Sequence, residues 1–247
     1  MKYAFLDRII ASLKQSPSVT DVTHTRISSL DDAIVEQVMS TRDIQPALTA
    51  CHDEVRAAFG FPVTTDEVTF CIASTIAHQF RPYGDSHAMT WEAVTHEPVL
   101  NCGNYPIVVH HILPPPLQEK IRFVGFMGGL IGNHLQIYIP EDSPNNRSMI
   151  VDPTAACVAF TDLDSLLQGH LPTEAVHVLN RRPDPKLDFF YGKVDEALSS
   201  GSYKPTDLLS YSFSFDMFTG ADPWPYRTPG GERLYRQNNP CSDRRSD

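Results

Sequence analysis

No two cysteines in this chain are spaced as CxxC, and no apolar stretch approaches the roughly 18 residues that a membrane span needs. Its five cysteines (Cys51, Cys71, Cys102, Cys157 and Cys241) are odd in number and widely scattered. They signal neither a disulfide framework nor a structural zinc site, and free thiols in a reducing, cytoplasmic setting are expected. Lys and Arg never run beyond two in succession, and the formal net charge is -10. Such a chain repels phosphate backbones, so nucleic acid is not expected as a partner. Asp7, Arg8 and Lys14 interrupt the apolar residues at the start, which breaks a signal-peptide core, and no membrane partner is expected. There is no internal repeat and no DxDxDG-type calcium loop, so neither a metal nor another cofactor is expected.

What is present is a hydrophobic fraction of 41% and an aromatic fraction of 10%, enough for a sizeable core in 247 residues. Helical spacing predicts a first helix over residues 3–15 and a second from Ser29, with Ser at its cap and Asp31 and Asp32 in its first turn. A third is predicted from about Pro46 to Phe59. A fourth, buried nearly all round, follows a Thr or Asp cap in PVTTD. Residues 81–100 read as a long loop with at most one helical turn. A helix is expected to begin at Cys102 or Gly103, because Pro106 fits only its first turn, and Pro114–Pro116 should stop it. Three β-rich runs follow, Ile121–Met127, Leu135–Pro140 and Ser148–Asp152, the last with a possible continuation through Val158. They predict an antiparallel meander after a helix, an α+β pattern. A short helix after Phe160 and another over 186–200 are expected, the segment 173–182 reads either way, and the end is rich in Pro, Gly and charge. The expected division is a helical region over 1–85 packed on a core over 86–215, with an extended tail over 216–247.

The chemistry concentrates between Asn101 and Thr154. Cys102 precedes an apolar helical run, His134 opens a strand-like run after a glycine-rich turn, and Asp152 closes another just before Pro153. A thiol, an imidazole and a carboxylate, each at the edge of an element, are the parts of a cysteine nucleophile with its base and orienter. A helix start favours a thiolate and presents backbone N–H groups that suit a developing oxyanion. Gly103, next to the nucleophile, would let a substrate carbonyl approach closely.

The motifs are Asn101-Cys102-Gly103-Asn104-Tyr105, Val124-Gly125, Gly132-Asn133-His134 and Val151-Asp152-Pro153-Thr154. In this order, some 60 residues in all, they resemble the transglutaminase-like superfamily, whose core is similar to that of papain. The chain departs from that family's frequent aromatic-acidic pair after the His, having Leu135-Gln136 there. The resemblance implies a nucleophile helix packed on an antiparallel sheet, with Cys102 as nucleophile, His134 as general acid/base and Asp152 as orienter. It implies acyl transfer or hydrolysis at an amide or thioester through an acyl-thioester, the substrate being a peptide, a protein or a carrier-bound acyl group. Gly103, Trp91 and Tyr83 are the residues expected to bind substrate or the oxyanion.

Two other readings compete. One is an inactive module of the same fold that binds a peptide or protein in its cleft. The other is a metal hydrolase using His87, His96, His110 and His111, although His87 and His96 have no partners at ligand spacing. His110 and His111 also stand about two turns along the helix from Cys102, too far to serve as its base.

Overall fold

Residues 65–80 place apolar side chains on every side of a helix, and the structure buries that helix accordingly. A computed structural model of the chain describes residues 23–86, 88, 90–129, 132–141, 147–160 and 176–187. The predicted helix over 3–15, most of the one over 186–200, the short one after Phe160 and the tail over 216–247 lie outside these residues. Among them run six helices: α1 (Asp32–Thr41), α2 (Gln45–Ala58), α3 (Thr65–Phe80), α4 (Trp91–His96), α5 (Asn104–Ile112) and α6 (Pro115–Gln118). Six strands accompany them: β1 (Thr23–Thr25), β2 (Arg122–Gly129), β3 (Gly132–Ile139), β4 (Met149–Asp152), β5 (Cys157–Phe160) and β6 (Val176–Leu179).

Helix α3 is the hub. Thr64 accepts from the Glu67 N–H and Glu67 reaches back to the Thr64 N–H, a reciprocal box that fixes the helix start. From there it packs on α1, α2, α5 and β4. Phe70, Ile72 and Ile76 are almost fully buried along it. Truncating any of the three to Ala costs about 2–5 kcal/mol. Helix α5 packs on α3 and on β3, so it lies between the central helix and the sheet.

The strands form one mixed sheet in the order β1-β6-β5-β4-β3-β2. All neighbours are antiparallel except β1 and β6, where Thr23–Thr25 runs parallel to His177–Leu179. The architecture is therefore α+β, as expected, but the sheet is wider than a three-stranded meander. The run after Asp152 turns back through Ala156, which has a φ of 53°, and becomes β5. The ambiguous segment 173–182 contains β6, and the region expected to be helical contributes β1.

Three smaller expectations are corrected. The cap of α1 is Asp31, whose side chain accepts from the Ile34 N–H, because Ser28 and Ser29 are both engaged by the Glu54 carboxylate. Residues 91–96 make a capped helix, with Thr90 accepting from the Ala93 N–H. The three prolines do stop α5, yet Pro115 and Pro116 then start α6, since proline is accommodated in a first helical turn.

Candidate active site around Cys102

The turn Asn101-Cys102-Gly103 leads directly into α5. Gly103 is the N-cap residue of α5, and Asn101 closes the turn before it: the Asn101 Oδ1 accepts from the Gly103 N–H at 2.8 Å and from the Asn104 N–H at 3.1 Å. In return Asn104 Oδ1 accepts from the Asn101 N–H at 2.8 Å. Asn104, buried, donates to the Ala88 carbonyl, and Asn101 Nδ2 donates to the Ser86 carbonyl. The turn bearing the thiol is thus tied both to itself and to the preceding loop. Cys102 is partly exposed, whereas Cys51, Cys71 and Cys157 are buried. Burial pushes the Cys51 thiol up to about 12, helped by Glu54, and raises Cys71 as well. Those two are inert core groups.

The Gly103 N–H is spent on Asn101, so it is not available to an oxyanion in this arrangement. A Cβ at Gly103 would stand 3.2 Å from Asn101 Oδ1, which makes glycine the residue that lets the turn close. Tyr83 lies beside the thiol. Gly84 N donates to the Leu100 carbonyl and Leu100 N to the Pro82 carbonyl, each at 2.9 Å, which lays residues 82–84 along the chain just before Cys102. Burial raises the Tyr83 phenol above its ordinary value, and the charges of Cys102 and Asp85 add to this. Trp91 is elsewhere. It is buried with its ring 5.0 Å from that of His111, in the last turn of α5 and so at the end away from Cys102, and Arg42 covers it at 4.9 Å. Its position follows from Thr90, which caps α4 and turns Trp91 and Val94 inward.

Asp152 ends β4 and is 2% exposed. Its Oδ1 accepts from the Thr154 and Ala155 N–H groups, both at 3.0 Å, and its Oδ2 accepts from Gln136 Nε2 at 2.7 Å. The Asp-Pro-Thr turn therefore supplies two donors from its own backbone, and the facing strand supplies a third. Gln136 was not legible as a site residue; only the strand register, which sets Ile137 opposite Val151, brings it to Asp152. His134 lies in β3 with its backbone paired to Phe126, and its side chain is outside the described residues.

His78, near the end of α3, is fully buried behind this turn. Its Nδ1 donates to the Pro153 carbonyl at 3.0 Å and its Nε2 accepts from the Arg182 N–H at 3.2 Å, which fixes one neutral tautomer. Burial, then the charge of Arg182, hold this ring down to about 4 despite the Pro153 bond. His78 was missed because an apolar helix with one His reads as core, and its partners are far away in the chain.

Among the described residues no three His, Cys, Asp or Glu side chains gather as a metal site would require. His110 and His111 face Phe123 and Trp91 respectively, and His96 sits in the last turn of α4; His87 and Cys241 are outside the described residues. Among the same residues no helix is long and apolar enough to cross a membrane. Comparison of the chain with protein-family models, with curated proteins and with solved structures finds no match.

Proposed function

We propose that this chain is a cysteine enzyme of acyl transfer or hydrolysis with a transglutaminase-like core. Cys102 is the nucleophile, His134 the general acid/base and Asp152 the orienter, and the substrate carries an amide or thioester carbonyl. One observation carries the reading. The partly exposed Cys102 stands in the turn that leads into a helix packed on β3, the strand of His134, while β4 alongside ends in the buried Asp152. Position 134 has the same phase in the strand pleat as position 136, from which Gln136 meets Asp152.

In this reading His134 takes the thiol proton and the Cys102 sulfur attacks the carbonyl carbon. The C–N or C–S bond breaks, the proton passes to the departing amine or thiol, and the acyl group remains on sulfur. An amine or water, deprotonated by the same ring, then releases it. Tyr83 forms one side of the approach to the sulfur.

The test is intact-protein mass spectrometry after incubation with simple amide and thioester acyl donors. The expected result is an acyl increment that maps to Cys102 and disappears in Cys102→Ser. Peptide binding without any increment, in wild type and Cys102→Ser alike, would overturn the enzyme reading in favour of a binding module of the same fold.

A further inference from the structure

A cavity of about 680 Å³ opens where the parallel strands β1 and β6 end, between them and the start of α1. That is within the size range of small-molecule sites, and the carboxyl ends of parallel strands are where open sheets tend to bind ligands. Arg26, Arg181 and Arg182 all line it, in a chain whose formal net charge is -10. Arg182 is anchored by neutral groups: it donates to the Gln79 carbonyl at 3.1 Å and to the Arg81 carbonyl. Arg181 Nε likewise donates to the Ala155 carbonyl at 2.9 Å. Carbonyls hold a guanidinium in place without cancelling its charge. Neither Arg26 nor Arg182 forms an ion pair among the described residues, and Arg182 Nε is buried without a hydrogen-bond partner there. The field of Arg182 and Arg181 reaches inward, for both charges help hold the His78 ring low. Asp31 and Asp32 also line the cavity; both are exposed, and Asp31 is committed to the Ile34 N–H.

We infer that this cavity binds a small molecule through an oxyanion, phosphoryl or carboxylate, seated between Arg26 and Arg182. The guanidinium fork of Arg26 matches either group, and Arg182, whose Nη1 and Nη2 each donate to a carbonyl, has a second N–H on each and, being already fixed, loses little freedom on binding. Asp32, also in the lining, calls for hydroxyl or amine donors elsewhere on the ligand. The inference does not depend on the role of Cys102.

The test titrates the full chain with inorganic phosphate and, separately, with malonate. Backbone amide shifts are followed against a chloride control of equal ionic strength. Saturable shifts confined to residues 26–28 and 180–182 are expected with at least one of the two anions, and the one that binds more tightly identifies the group. Arg26 is exposed, so Arg26→Ala should fold normally and bind about tenfold more weakly. Shifts that follow ionic strength alone, that fail to saturate with both anions, or that persist unchanged in Arg26→Ala would overturn it.

Discussion

Asn101 and Asn104 cap each other across the turn that carries Cys102, each accepting the other's backbone N–H. A substitution at either should therefore be felt at the thiol. Asn101→Ala removes the acceptor of two N–H groups and is expected to cost about 1–2 kcal/mol. Asn104→Ala strands the Ala88 carbonyl and the Asn101 N–H, for about 1–3 kcal/mol. Because the two share one network, the double variant should cost less than the sum. Urea unfolding of the four proteins checks this, and wild-type midpoints for both single variants would contradict the capping role.

Gly84 is closed in by Val99. A Cβ at position 84 would stand 2.7 Å from the Val99 Cβ and 2.8 Å from its Cγ2, closer than carbon atoms pack. Gly84→Ala must push Val99 and the Leu100 pairing aside, at an expected cost of about 1–3 kcal/mol. The distortion falls on the loop that places Tyr83, so acyl-adduct formation at Cys102 should slow as well. A thermal-unfolding midpoint equal to wild type would show that the wall yields freely.

Stability should fall in two stages on acidification. The His78 ring binds its proton at about 4 in the fold against an ordinary 6.5, so the unfolded chain takes up protons first. The folded state is therefore most favoured above pH 6.5 and loses that advantage as the pH falls towards about 4, with His110 acting in the same window. Glu54 is held down to about 2 from 4.5, chiefly by the Ser29 and Ser28 hydroxyls, so a second loss spans that lower range. Melting curves over this pH range should show a shallower upper stage in His78→Gln and a shallower lower stage in Glu54→Gln. Parallel curves for wild type and both variants would contradict these assignments.

How far the sequence revealed this arrangement depended on how far apart the partners lie. The Thr cap of α3, its all-round burial and the placement of Cys102 and Asp152 at element edges rest on neighbours within a few residues, where periodicity and capping rules work. The pairing of Thr23–Thr25 with His177–Leu179 has no local signature, since each is a short run whose partner is more than half the chain away. Ser29 reads as a cap until Glu54 takes its hydroxyl and N–H, which leaves Asp31 to do the capping. Gln136 became visible at Asp152 only with the strand register, and Trp91 turned out to belong with Arg42 and His111 because α4 forms at all.

The proposed chemistry stands on the reactivity of one sulfur, and iodoacetamide labelling of the intact chain measures it. Rates are read for each cysteine by peptide mapping across about pH 5 to 9, in wild type and in His134→Ala. Cys102 is expected to label rapidly near pH 6 while buried Cys51, Cys71 and Cys157 stay protected, and His134→Ala should abolish the low-pH reaction. A Cys102 that labels only as the pH nears about 8.5, like an ordinary thiol, and does so equally in His134→Ala, would contradict a nucleophile served by that histidine.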